Sequence, residues 1–181
     1  ANAPQDEVMH HWTGLGYYAR ARNMHKAAQV ALAEYEGELP TDSVDALVAL
    51  PGIGRSTAGA IIAQSTGERA AILDGNVKRS LTRLHALPGW PGKPAVERQL
   101  WALAEHYTPS TRLADYTQAI MDFGATLCKR SKPDCPRCPF NDVCLAYAQG
   151  EPQRYPESKP KKALPTRHTI MLMLRDPEGR V

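Results

Sequence analysis

The run Leu50-Pro51-Gly52-Ile53-Gly54-Arg55-Ser56-Thr57-Ala58-Gly59-Ala60 constrains the fold more than any other stretch of this chain. Residues 42–48 before it read as a short capped helix, with Leu47 and Leu50 on one face. Residues 56–63 after it are rich in Ala and Ile and read as a second helix. Pro51 cannot continue the first helix, and Gly52 and Gly54 permit a tight turn that a Cβ would obstruct. The product is a helix-hairpin-helix whose turn amides and new helix N-terminus point outward together. Such a cluster of N–H donors suits an anion, and on DNA the anion is a phosphate. Read only locally, the same residues describe an ordinary αα-hairpin with glycine in its turn.

Downstream, Ala71-Ile72-Leu73-Asp74-Gly75-Asn76-Val77-Lys78-Arg79 passes from an apolar run into a new helix. Asp74 falls at the helix start, where a carboxylate can cap the first turn and is favoured by the helix dipole. The helix continues over 77–84, with Lys78, Arg79 and Arg83 assigned to its polar side. Upstream, residues 4–12 begin a helix that Gly14-Leu15-Gly16 ends, and a long helix follows to about Tyr35. Its apolar face is read as Ala27, Val30, Ala31 and Leu32. Tyr17-Tyr18-Ala19-Arg20-Ala21-Arg22 sets aromatic surfaces beside cations, a combination suited to a kinked duplex. Residues 88–92 form a rigid turn, and helices are expected over 96–107 and 113–127, with Ile120, Phe123 and Leu127 as core.

The four cysteines of the chain, Cys128, Cys135, Cys138 and Cys144, fall within 17 residues, among Lys129, Arg130, Lys132 and Arg137. Two disulfides are possible, but clustered thiols in a helical chain with no visible signal peptide favour metal. Four thiolates suit a structural zinc or a 4Fe-4S cluster, and spacing alone does not separate them.

The hairpin, the segment Asp74-Gly75-Asn76-Val77-Lys78-Arg79 and the cysteine array together resemble the helix-hairpin-helix base-excision DNA glycosylases, most closely the MutY-type adenine DNA glycosylases. The resemblance runs from about Ala3 to Val181. It implies a mainly α, helix-hairpin-helix DNA glycosylase fold with a C-terminal 4Fe-4S loop. Asp74 is then the catalytic aspartate, with Asn76 orienting it or the sugar–phosphate. Gly52, Gly54, Arg55, Ser56, Lys78 and Arg79 become DNA contacts, and Tyr18 the wedge beside an oxidised guanine. Cys128, Cys135, Cys138 and Cys144 become the cluster ligands, in a loop whose basic residues face phosphates. The implied partner is double-stranded DNA carrying an adenine mispaired with 8-oxoguanine or guanine, bound by a monomer. Endonuclease III-type relatives carry a hairpin lysine that attacks the sugar as an amine nucleophile. Ser56 stands at the corresponding place here, so hydrolysis without strand cleavage is expected. The alternatives are an endonuclease III-like enzyme acting on oxidised pyrimidines, a non-catalytic DNA-binding iron–sulfur module, and a zinc-bound helical domain.

The resemblance also implies a domain plan: a glycosylase domain over 1–150 with its cluster loop at 128–144, a linker over 151–166, and from 167 to 181 the start of a Nudix-like domain. The linker is rich in Pro and Lys, and Thr169-Ile170-Met171-Leu172-Met173-Leu174 reads as the first strand of that domain. The family's proton donor is a glutamate in a Gln-Gln-Thr context, in a helix that would precede Ala1. Glu7, Glu34, Glu36 and Glu38 carry no such context. With no initial Met and an end just past an apparent strand, the 181 residues are expected to be a catalytically crippled piece of a longer protein. The net charge of +3 and pI near 8.7 permit a nucleic-acid partner. No apolar run reaches membrane-spanning length, and the absence of a visible targeting signal leads to the expectation of a cytoplasmic, nucleoid-associated protein.

Overall fold

In the computed structural model, which describes residues 1–160, 166 and 168–179, the chain is a stack of α-helices. In order they are α1 (Gln5–His11), α2 (Tyr18–Glu34), α3 (Val44–Ala49), α4 (Arg55–Ser65), α5 (Gly75–Leu84), α6 (Pro94–Tyr107), α7 (Leu113–Thr126) and α8 (Leu145–Ala148). Short 3-10 turns occupy Cys135–Arg137 and Pro152–Arg154. Among the described residues no helix is long and apolar enough to cross a membrane.

The punctuation read from sequence sets most helix ends. Ser43 caps α3 by accepting the Ala46 N–H at 3.0 Å, and Pro94 opens α6 in the first turn, where its missing N–H costs nothing. The α3–α4 hairpin turns over residues 50–54, with Gly52 at φ +80°. A Cβ there would also lie 2.6 Å from Cβ of Asn23 on α2. Glycine is therefore required twice over, by the backbone angle and by the approach of α2.

Two apolar clusters hold the stack. One joins the hairpin to α2 through Ala27, Leu47, Leu50, Ala58 and Ile62. The other packs α5 on α6 through Ile72, Leu73, Val77, Leu81, Val96 and Leu100. Leu47 and Leu100 are fully buried, and truncating a leucine at such a site costs about 2–5 kcal/mol. Helix α7 packs against both α4 and α5, which brings the two clusters into one body.

Four expectations need correction. Leu32 lies on the exposed side of α2, whose buried positions are Ala21, His25, Ala27 and Ala31. Ile120, Phe123 and Leu127 are only partly buried and border a cavity, and of the three Ile120 also packs against the α5–α6 cluster. Tyr155, placed by sequence in an exposed linker, is buried, and Lys159 lies over the Trp90 ring at 5.3 Å. Finally, residues 169–174 form no strand: Ile170, Met171, Leu172, Met173 and Leu174 are all at least 68% exposed. A strand is stabilised by a paired neighbour, and no strand exists among the described residues to supply one. The linker residues 161–165, and Arg167 at the proposed domain start, lie outside the described residues.

Candidate active site and cysteine centre

Asp74 is the N-cap of α5, with an extended backbone and its Oδ1 accepting the Val77 N–H at 2.8 Å. One carboxylate oxygen thus satisfies an orphan donor of the first turn. The residue before it is fixed from the hairpin: the Leu73 N–H donates to Oγ of Ser56 at 2.9 Å. Ser56 sits in the first turn of α4, so this one bond sets the hairpin against the approach to Asp74. No side chain caps α4, and nothing lies within 4 Å of a Cβ built on Gly54. The first-turn amides of α4 therefore open toward solvent at the turn, the geometry that accepts an anion.

Arg55, the first residue of α4, stacks over Trp101 at 3.9 Å and pairs with Glu105 at 2.5 Å. Both members of that pair are about half exposed, so its contribution to stability is small. Lys78 is paired with Glu97 on α6 at 2.6 Å. Asn76 faces α7, where a Cβ on Gly124 would lie 2.5 Å from its own Cβ. Its Oδ1 accepts from Arg79 Nη2 at 2.9 Å. Arg79 also donates to the Gly124 carbonyl at 2.5 Å and to the Cys128 carbonyl at 2.7 Å. Burial lowers the Arg79 pKa, an effect opposed by nearby Cys128 and Asp74. The sequence reading placed Arg79 on a polar helix face; the structure leaves it partly exposed and ties its guanidinium to the carbonyls of Gly124 and Cys128.

Arg83 departs further from that reading. It is 3% exposed, and its guanidinium points into the cysteine segment. Nε donates to the Tyr155 carbonyl at 2.9 Å, Nη1 to the Lys129 carbonyl at 2.7 Å, and Nη2 to the Arg130 carbonyl at 3.0 Å. Nη1 also reaches the Cys128 carbonyl and the Cys128 Sγ, both at 3.4 Å. Sequence reasoning missed this residue because a helical arginine looks alike whether it meets water or distant carbonyls.

All four cysteines are free and half-buried, and all four line one cavity of about 660 Å³ between α5, α7 and the loop that carries them. Phe140 of that loop packs edge-on to Phe123 of α7 at 5.4 Å. Burial raises the pKa values of Cys135 and Cys138, and the neighbouring cysteines push in the same direction. Among the described residues no three His, Cys, Asp or Glu side chains stand together closely enough to hold one metal ion. Lys129, Arg130, Lys132 and Arg137 are exposed around this loop.

At the other end of the chain Tyr17 and Tyr18 open α2. Tyr18 is 42% exposed, and its hydroxyl accepts the Gly14 N–H at 3.4 Å. Tyr17 is 81% exposed, with φ +48° and Arg20 beside its ring at 5.6 Å. The left-handed conformation of a tyrosine is uncommon and projects this ring outward.

A family model described as the HhH-GPD superfamily of base excision DNA repair proteins matches residues 1–106, and the chain belongs to that superfamily. Within it, the adenine DNA glycosylase of Buchnera aphidicola subsp. Acyrthosiphon pisum is 39% identical over 170 residues, covering 94% of this chain and 48% of the relative. The adenine DNA glycosylase of Homo sapiens is 38% identical over 154 residues, 85% of this chain and 28% of the relative. The chain thus spans about half, or less, of the length of these curated relatives. Among solved structures, a thermostable thymine-DNA glycosylase superposes with a TM-score of 0.68 at 28% identity, over 81% of this chain and 67% of its own. A non-covalent endonuclease III–DNA complex gives 0.66 at 27% identity, over 82% and 67%.

Proposed function

We propose that the protein is a base-excision repair glycosylase that hydrolyses the N-glycosidic bond of adenine mispaired with 8-oxoguanine or guanine. The observation that carries this is the link from Ser56 through Leu73 to Asp74. The hairpin position where endonuclease III-type relatives are expected to hold a lysine nucleophile is a serine, and its hydroxyl is engaged with backbone. The carboxylate stands one residue further on, at the mouth of α5. A serine there forms no imine, so water rather than a lysine amine resolves the sugar cation.

In this reading the uncapped turn of α4 takes a phosphate, with Arg55 at its edge, and the duplex kinks against the α2 entrance. Tyr17 offers the larger free ring surface of the tyrosine pair, so we carry the wedge role to Tyr17 with Tyr18 supporting it. The adenine leaves the stack and enters the site. As the glycosidic bond breaks, positive charge develops on the sugar, and the Asp74 carboxylate stabilises it. Asn76, held by Arg79 and pressed against Gly124, fixes the first turn from which Asp74 projects. Lys78 is held by Glu97, which supports a positioning or phosphate role rather than a nucleophilic one. The proton that makes adenine a leaving group would come from a general acid.

The four thiols fit an iron–sulfur cluster: they share one cavity, and a buried guanidinium contacts one of their sulfurs. Bound there, a 4Fe-4S cluster would supply a structural knot for residues 128–144, and the exposed basic residues around it would meet the DNA backbone. The domain plan of a helical domain over 1–150, a linker to 166 and a separate element beyond belongs to the same proposal.

A single-turnover assay on a duplex with one 8-oxoguanine·adenine pair tests the reading. Adenine release that vanishes in Asp74→Asn is the expected outcome, with Asp74→Asn binding the duplex within about twofold of wild type. Release that persists in Asp74→Asn would overturn the role of Asp74. Cleavage of a duplex carrying an oxidised pyrimidine would favour the endonuclease III-like alternative.

A further inference from the structure

We infer that Arg83 is the built-in counter-ion of the cysteine centre, contacting the Cys128 sulfur and making that thiolate electronically distinct from the other three. The inference rests on the proposed thiolate-ligated group. Its basis is an imbalance of charge. Arg83 is 3% exposed, yet among the described residues no carboxylate pairs with it. Its acceptors are the carbonyls of Cys128, Lys129, Arg130 and Tyr155, and the Cys128 Sγ. These five acceptors engage all three guanidinium nitrogens, three of them sharing the two N–H groups of Nη1. They do not satisfy its charge, because four are neutral carbonyls. Burying a cation without an anion costs several kcal/mol, so a folded chain retains such a group where an anion completes the site.

The anion is supplied by the thiolates. An oxidised 4Fe-4S cluster held by four thiolates would be a dianion, and Arg83 would face that charge from α5. Contact with Cys128 alone breaks the symmetry of the four ligands. The Cys144 thiol donates instead to the backbone carbonyl of Arg83 at 3.5 Å, so one residue touches the first and last cysteines of the array. A guanidinium hydrogen bond to a ligating sulfur draws electron density from it and raises the reduction potential of the group it holds. The same contacts tie the ligand loop to the helix that begins at Asp74.

The test uses the full chain, anaerobically loaded with iron and sulfide, beside Arg83→Lys and Arg83→Met. Iron and sulfide content of the wild type decides the cofactor reading by itself. Given a loaded wild type, Arg83→Met is expected to have a more negative reduction potential and to release iron to a chelator at least about tenfold faster. Arg83→Lys, keeping charge without the fork, should lie between them. A potential and a release rate within twofold-equivalent error of wild type in both variants would overturn the role of Arg83 while leaving the cofactor intact. Should neither variant fold, pulsed EPR of wild type grown on 15N-arginine and reduced by one electron with dithionite decides. Hyperfine coupling of an arginine nitrogen to the paramagnetic group is expected, and its absence overturns the inference. A wild type that takes up no iron–sulfur group overturns both readings.

Discussion

The hairpin and the cysteine segment are both loops with a binding role, and they are ordered in opposite ways. The hairpin supports itself. Its helices are capped locally at Ser43, its turn closes through Leu50 and Ile53 N–H bonds to carbonyls three residues back, and Leu47, Leu50 and Ala58 bury beneath it. The cysteine segment has one 3-10 turn and a few local turn bonds of its own, such as Asn141 N–H to the Cys138 carbonyl, and is tied down from neighbouring helices. Arg79 and Arg83 reach it from α5, Phe123 meets Phe140 from α7, and the space between them is a cavity. A loop with its own core presents backbone amides in a fixed pattern, as phosphate binding requires. A loop held from outside around a cavity depends on what fills that cavity.

The comparison is broken most severely from the hairpin side. Leu47→Ala, at a fully buried site, should lower unfolding free energy by about 2–5 kcal/mol in a denaturant titration. On the other side, chelation of the loaded protein or Cys128→Ser should speed hydrogen exchange about tenfold or more over 128–144, leaving hairpin amides nearly unchanged. Equal loss of protection in both regions would show that they form one cooperative unit. At the junction, Gly124→Ala forces a methyl against Asn76, with an expected cost of about 1–3 kcal/mol and a displaced α5 N-terminus. Ser56→Ala strands the Leu73 N–H and should cost about 1–3 kcal/mol, with weaker DNA binding as the hairpin loses its tether to Asp74.

The smallest effect is in pH. The His85 pKa is lowered by burial and then by His106. Its unfolded form takes up a proton near pH 6.5 while the folded form still resists it. Stability should therefore be complete above that pH and decline as pH falls toward the depressed folded value. His85→Asn should flatten this acid-side slope in melting experiments.

Much of the architecture was legible because its causes are local. Proline and paired glycines placed the hairpin, a capped start was read before Val44 and an aspartate at the start of α5, and apolar spacing placed Leu47 and Leu50 on one face. Asp74 was legible as an N-cap, and the cysteine array as a ligand set, because each needs only its own sequence neighbourhood. The tyrosine pair was legible as a pair, but the order of exposure within it was not. That order follows from a left-handed backbone at Tyr17 and a hydroxyl bond at Tyr18.

By itself, then, the sequence determined the helices, the turn and the candidate ligands, since short-range sterics and capping decide these. Tertiary structure alone decided the fate of the charges. Arg79 and Arg83 lie on a helix whose sequence suits water, yet the carbonyls that receive them come from residues 45 to 72 positions away. It also decided that the hydroxyl of Ser56 meets Leu73, and that residues 169–174, for all their β-propensity, meet no strand among the described residues. In each case a polar or apolar group must be satisfied by a partner remote in sequence, and only the folded chain brings that partner within reach.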